Sequence, residues 1–428
     1  MAGEAPRYGW YGDDFTGATD TLATLAEAGQ RALLFLRIPT SQQLASAGPL
    51  DAVGIAGATR AMAPEAMARE LDEAGRFFAL LGVSLLHYKC CSTFDSAPEV
   101  GSLGAAALAL RPHFPNPLLP VIGGQPNLGR YCLFGNLFAA AGAGGTVHRI
   151  DRHPTMSVHP VTPMGEADLR RHLAAQGLER VGLVDYRSHE GEGAGQALDA
   201  ALASRPEAVL FDVSRAADLV AIGALLRERM SARPMFAIGA SSVAQAFAGF
   251  PRSGQPEMPR LARPISGGNL LALVGSLSPV TRAQVELAEG YDGVAIDPAR
   301  LTSEPAYLEA LRAETLARLA ERNVMLITDK PAGAPLDTSK VAAATGVLLR
   351  AVMNEAKIAR LVVAGGDTST SAIRSLDLWG LSYRSPCTPG APLCRAHSDD
   401  SRLDGLDIVL KGGQMGTPDF FNRVAETN

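Results

Sequence analysis

Short apolar runs alternate with longer amphipathic ones along most of this chain. Runs over 32–36, 52–56, 84–88, 118–122, 181–184, 208–211 and 235–238 have the length of buried strands. Between them, apolar residues recur at helical spacing over 64–80, 99–110, 166–175, 193–203, 216–229 and 241–247. At the start, Tyr8-Gly9-Trp10-Tyr11 reads as another buried strand and 21–28 as a helix. Such alternation predicts a mostly parallel sheet with helices on both faces.

From Gly249 to Gly268 the pattern stops, and glycine and proline become dense without any period. That composition predicts an exposed linker over 249–268, between a first domain at 1–248 and a second at 269–428. Beyond it the alternation restarts, with strands expected over 270–274, 293–296, 324–328 and 361–363 and helices over 280–288, 305–322 and 341–356. The end differs: 381–384, 392–397 and 406–410 read as strands before a last helix over 418–424. The expected fold class is α/β: two α/β domains with mostly parallel sheets and a ligand cleft between them. No repeat of 20–50 residues suggests a solenoid.

Composition narrows the function. At 428 residues, 47% hydrophobic and 19% charged, the chain has core material for about two or three globular domains. A net charge of −5 gives no basic footprint and argues against a nucleic-acid partner. Cys90, Cys91, Cys132, Cys387 and Cys394 are odd in number and show no repeated C-x-x-C spacing, so neither a disulfide framework nor a zinc site is expected. The first thirty residues lack a basic leader, and no run approaches about 18 apolar residues. The expectation is a reduced, cytoplasmic protein with no membrane partner.

Candidate chemistry gathers at strand ends, where open α/β sheets bind ligands. Gly12-Asp13-Asp14-Phe15-Thr16-Gly17 sits at a strand-to-helix turn. Its adjacent carboxylates repel unless a cation or a hydroxyl-rich ligand separates them, although either could also cap the helix. Thr59-Arg60, the Lys89 to Ser96 segment, Gly129-Arg130 and the segment from His153 to Pro163 end or follow other strands. Arg60, Lys89 and Arg130 suit a carboxylate, while the aspartates suit hydroxyls, so the rim fits a small polyhydroxy acid. A nucleophilic role for Cys90 or Cys91 is disfavoured, because no activating histidine shares the motif.

In the second domain, Gly365-Gly366-Asp367-Thr368-Ser369, Lys411-Gly412-Gly413 and Gly275-Ser276-Leu277-Ser278 each follow a strand. Glycines let backbone approach a phosphate, and helix N-termini offer it free amides. None of the three is G-x-x-x-x-G-K-[ST] or G-x-G-x-x-G. Three such loops in one domain point to a nucleotide.

Taken in order, these blocks resemble the four-carbon acid sugar kinase family over nearly the whole chain. The resemblance implies a sugar-acid-binding N-terminal domain and an ATP-binding C-terminal domain, with phosphate passed from ATP with Mg2+ to the terminal hydroxyl of an acid such as a 3-oxo-tetronate or a threonate. It implies that Asp13, Arg60, Lys89, Ser92 and Thr93 hold the acid, with Arg130 beside them. Ser276, Ser278, Gly365, Gly366, Asp367, Thr368, Gly412 and Gly413 would surround the nucleotide. Asp13 or Asp14 would accept the hydroxyl proton, Lys411 would meet phosphate charge, and the subunits would pair as a homodimer. Family members usually carry Asp-Ser-Thr then Leu-Arg-Gly after the lysine, whereas this chain has Cys91-Ser92-Thr93 then Phe94-Asp95-Ser96. With Tyr11-Gly12, this resembles a branch of kinases of 3-oxo-isoapionate breakdown. The competing readings are a non-enzymatic sugar-acid binder or sensor and a dinucleotide-dependent oxidoreductase.

Overall fold

The structure, a computed structural model, describes residues 7–142, 144–159, 161–190, 193–230, 233–248, 268–276, 278–328 and 337–426. The chain divides into two compact units, Met1–Pro259 and Arg260–Asn428. Apart from Gly268, the linker expected over 249–268 lies outside the described residues.

The first unit is built on parallel strands in the order Ala32–Phe35, Ala52–Ala56, Tyr8–Gly12, Leu85–Lys89, Met235–Gly239, Pro120–Ile122, Ala208–Phe211 and Val181–Val184. Most are buried along their length, as expected for strands covered on both faces. From Tyr8–Gly12 the chain skips to Ala32–Phe35, returns to Ala52–Ala56 beside the first strand, then crosses to Leu85–Lys89 on the other side. Tyr8–Gly12 therefore lies at the switch point of the winding, where ligand crevices form.

The helix Pro64–Leu81 shows why these segments are helical: Met67, Leu71, Ala74 and Phe78 recur on one buried face, proline opens it, and Gly82 ends it at φ 77°. The helix Ser41–Ala47 buries none of its residues, so apolar spacing does not announce it. A capping box starts it, with Gln43 N donating to Thr40 Oγ1 at 3.2 Å and Thr40 N to Gln43 Oε1 at 3.0 Å. A small antiparallel sheet of Arg130–Leu133, Asn136–Ala140 and Val147–Arg149 also goes beyond the expected elements. Its first turn places Phe134 and Gly135 at φ 53° and 80°, and Asp212 accepts both their amides. A carboxylate distant in sequence holds that turn.

In the second unit the strand order is Tyr291–Ile296, Asn323–Thr328, Asn269–Val274, Ile358–Ala364, Asp407–Lys411, Ala391–His397 and Gly380–Thr388. The first five are parallel, and Ala391–His397 runs antiparallel to both of its neighbours. Ala272, Val362, Leu393 and Val409 pack in its core with Phe420 and Val424 of the last helix. The winding reverses between Asn269–Val274 and Ile358–Ala364, again beside the polar loops.

Candidate active site

Register brings the first group together. Gly12 pairs with Ala56 on one side and Lys89 on the other, so Asp13, Thr59-Arg60 and the segment after Lys89 leave three adjacent strands at the same end. Backbone bonds fix them: Asp13 N donates to Lys89 O at 2.9 Å and Arg60 N to Asp13 O at 3.1 Å.

Arg60 grips both carboxylates. Its Nε and Nη2 donate to Asp13 Oδ2 and Oδ1 at 3.0 and 2.8 Å, and its Nη1 donates to Asp14 Oδ2 at 3.0 Å. Asp14 also caps the helix Phe15–Glu27, accepting Gly17 N at 2.9 Å and the Thr16 hydroxyl. Capping and site chemistry thus coincide on one side chain. Lys89, 4% exposed, lies over the first turn of that helix, where a Cβ on Gly17 would fall 1.9 Å from its Nζ.

These neighbours drive the two carboxyls apart. Burial pushes Asp13 above the usual range, and the adjacent Asp14 adds to this against Arg60 and Lys89. Burial acts on Asp14 too, but Arg60, Lys89, Thr16 and Gly17 outweigh it and hold that carboxyl low. Burial also opposes the charge of Lys89, yet Asp14 and Asp13 prevail and raise it. Two adjacent carboxylates with opposed shifts suit one for proton transfer and the other for fixed charge.

Past Lys89, Ser92 and Thr93 are buried, and the Thr93 hydroxyl donates to Asp95 Oδ1 while lying 3.1 Å from Cys91 Sγ. Burial raises the Cys90 and Cys91 thiols, which keeps them protonated and weakly nucleophilic. Phe94 adopts φ 56°, and its carbonyl accepts Ser96 Oγ at 2.9 Å. Arg130 is buried at the start of the small sheet. The His153 ring holds its own turn: its Nδ1 accepts Thr155 N and Met156 N at 3.1 Å, and burial lowers its pKa.

The second group also assembles by register, since Val274 pairs with Ala364 and Ala364 with Lys411. Gly275 N and Ser276 N both donate to Ala364 O at 3.0 Å, and Gly365 N donates to Lys411 O at 2.8 Å. Two loop glycines have no room for a side chain: a Cβ on Gly275 would fall 2.0 Å from Thr368 Oγ1, and one on Gly413 2.6 Å from Ser276 Oγ. Gly365 sits at φ 128°, which an L side chain rarely adopts. The helix Gly366–Ser375 after it has no side-chain cap, leaving its first amides available to an anion, with Thr368 half-buried and Asp367 exposed there. Ser278 caps the helix Pro279–Glu286 and donates to Gly413 O; Leu277 lies outside the described residues.

Lys411 differs from the sequence expectation in its immediate contacts. It is fully buried, and its Nζ donates to Thr281 Oγ1, Gly412 O and Met415 O at 3.0, 3.1 and 3.2 Å. With its donors used internally and burial pushing it down to about 7, the ammonium braces the 412–415 loop from beneath. Thr281 and Gln284, which donates to Met415 O and Thr417 O at 3.0 and 2.9 Å, hold the same loop and were not singled out in the sequence. Among the described residues no three His, Cys, Asp or Glu side chains converge as a metal site, and no helix is long and apolar enough to cross a membrane.

Known proteins agree with this division. A family model described as a sugar-binding N-terminal domain matches residues 8–247, and one described as a nucleotide-binding C-terminal domain matches 271–421. A sugar-binding and a nucleotide-binding α/β domain in one chain define a two-domain carbohydrate kinase. The chain is 39% identical to a 3-oxo-isoapionate kinase of Paraburkholderia graminis, over 97% of this chain and 93% of that one. It is 30% identical to a 3-oxo-tetronate kinase of Methylobacterium radiotolerans, over 98% of each. A solved structure from Salmonella typhimurium LT2, described provisionally as a tRNA synthase, superposes with a TM-score of 0.75 at 26% identity, covering 98% of this chain and 99% of that one. The chain belongs to the four-carbon acid sugar kinase family. The names of these relatives favour a kinase over a dinucleotide oxidoreductase or a non-catalytic binder.

Proposed function

We propose that the protein transfers the γ-phosphoryl group of ATP to the terminal hydroxyl of a small sugar acid of the 3-oxo-isoapionate or 3-oxo-tetronate type. The observation that carries this reading is the Asp13–Asp14 pair, gripped by Arg60 and pushed apart in acidity beside the Lys89 ammonium. Asp13, the more basic carboxylate, accepts the hydroxyl proton as the oxygen attacks phosphorus. Asp14 stays ionised and keeps Arg60 and Lys89 in place. Ser92, Thr93 and Arg130 complete the acid site.

Phosphoryl transfer asks the protein chiefly for positioning and charge neutralisation. The second-domain loops supply these through glycine backbone at 275, 365, 366, 412 and 413, the hydroxyls of Ser276, Ser278 and Thr368, and the uncapped helix start. Lys411 serves by stiffening the loop from within. For the Mg2+ that would accompany the nucleotide, the exposed Asp367 carboxylate at the start of that helix would be the protein ligand. When bound, the ion screens the phosphate charge.

Release of ADP by the purified protein with ATP and Mg2+ tests this reading across 3-oxo-isoapionate, 3-oxo-tetronates, D- and L-threonate and erythronate. Turnover dependent on one acid is the expected result. Silence across the panel, with ATP still bound, would overturn the acceptor class.

A further inference from the structure

We propose that Arg130 is the carboxylate anchor of the acid site, which fixes the substrate with its acid group towards Arg130 and its reacting hydroxyl towards Asp13. This deepens the sugar-acid kinase reading and rests on it. The argument starts from what the other cations already do. Arg60 spends Nε, Nη1 and Nη2 on Asp13 and Asp14, and its two partners would repel an incoming carboxylate. Lys89 lies over Gly17 under the influence of the same two aspartates.

Arg130 is different. It is 5% exposed, its Nη1 donates to Leu128 O, and its buried Nε has no hydrogen-bond partner among the described residues. No carboxylate is bonded or ion-paired to it among those residues, although Asp95 and Cys91 lie within electrostatic reach. Cys91 is also within electrostatic reach of Arg60. A buried guanidinium N–H without an acceptor is costly unless a ligand supplies one. An anion meets that need, and a planar carboxylate matches the guanidinium edge. Asp95, held in place by Thr93, leaves the end near Arg130 short of full positive charge, so it tempers affinity for the anion.

The test compares binding by calorimetry, without nucleotide, of 3-oxo-isoapionate and L-threonate, each against its neutral primary carboxamide. Wild type should prefer the acid. Arg130→Gln should weaken the acid about 10- to 100-fold, the range of a lost charge-assisted bond, and leave the carboxamide nearly unchanged. Asp95→Asn, which keeps an acceptor for Thr93, should tighten the acid several-fold and not the amide. Equal losses for acid and amide in Arg130→Gln would overturn the proposal and make Arg130 a support of its turn. A raised Michaelis constant for ATP with unchanged acid binding would overturn it in favour of a phosphate contact. If Arg130→Gln fails to fold, Arg130→Lys gives the same comparison, with loss of the fork and retention of charge. Because binding is read without turnover, acid binding with no ADP release would sink the kinase reading and leave the anchor standing.

Discussion

At the strand ends of the first domain the lining is charge: Asp13, Asp14, Arg60 and Lys89 lie close together, with Arg60 bonded to both carboxylates. At the strand ends of the second domain it is glycine, hydroxyl and backbone, and Lys411 is turned inward to hold carbonyls. The first region is built on charges whose values depend on their neighbours. The second is built on space, because Gly275 and Gly413 come so close to Thr368 and Ser276 that added atoms collide. Isosteric changes of charge should therefore damage the first region, and small changes of volume the second.

The sharpest test is Asp13→Asn, which preserves shape and removes the base. It should lower kcat about 100-fold or more, read as ADP release, while both substrates still bind. Near-normal turnover would reduce Asp13 to a partner of Arg60. Next in size is Gly275→Ala, whose Cβ would meet Thr368 Oγ1 at 2.0 Å. Nucleotide affinity should fall about tenfold or more, the equivalent of one to two kcal/mol of strain, with acid binding intact. Equal losses of both ligands would erase the contrast between the regions. Lys89→Ala should raise the Michaelis constant for the acid about tenfold and leave that for ATP alone, in line with one lost charge-assisted contact. The reverse pattern would exchange the roles of the two domains.

The smallest effect concerns Lys411 and pH. Burial lowers its folded pKa to about 7, from 10.5 for an unperturbed lysine. Between those values the unfolded chain binds more protons than the folded one, so this group makes stability rise with pH across the window. Denaturant midpoints from pH 7 to 10 should show a rise that Lys411→Met flattens. An identical slope in the variant would mean that the buried ammonium is not the source.

Much of this architecture is legible in the sequence because its strands are short apolar runs with no competing period. The run over 52–56 matches Ala52–Ala56, and the one over 181–184 matches Val181–Val184. Ser41–Ala47 escapes because it buries nothing, although Thr40 and Gln43 spell its cap. The small sheet from Arg130 escapes because its turn depends on Asp212, far along the chain. In the candidate site, residue types single out the aspartates, Arg60 and Lys89, which the structure brings together. The sequence did not reveal that Arg60 would be consumed by the aspartates, or that Lys411 would face inward. Both facts depend on distances between segments that no local pattern encodes. Thr281 carried a faint signal, three residues after the capping Ser278.

The contact between Gly17 and Lys89 has a consequence for descent. The ammonium occupies the volume that a methyl at 17 would claim, so the two positions cannot vary independently. A lineage that gains alanine at 17 must already have shortened or redirected residue 89, and must also move the Asp14 carboxylate, whose Oδ1 would lie 2.7 Å from the new Cβ. Across related genes the pair should change together or not at all.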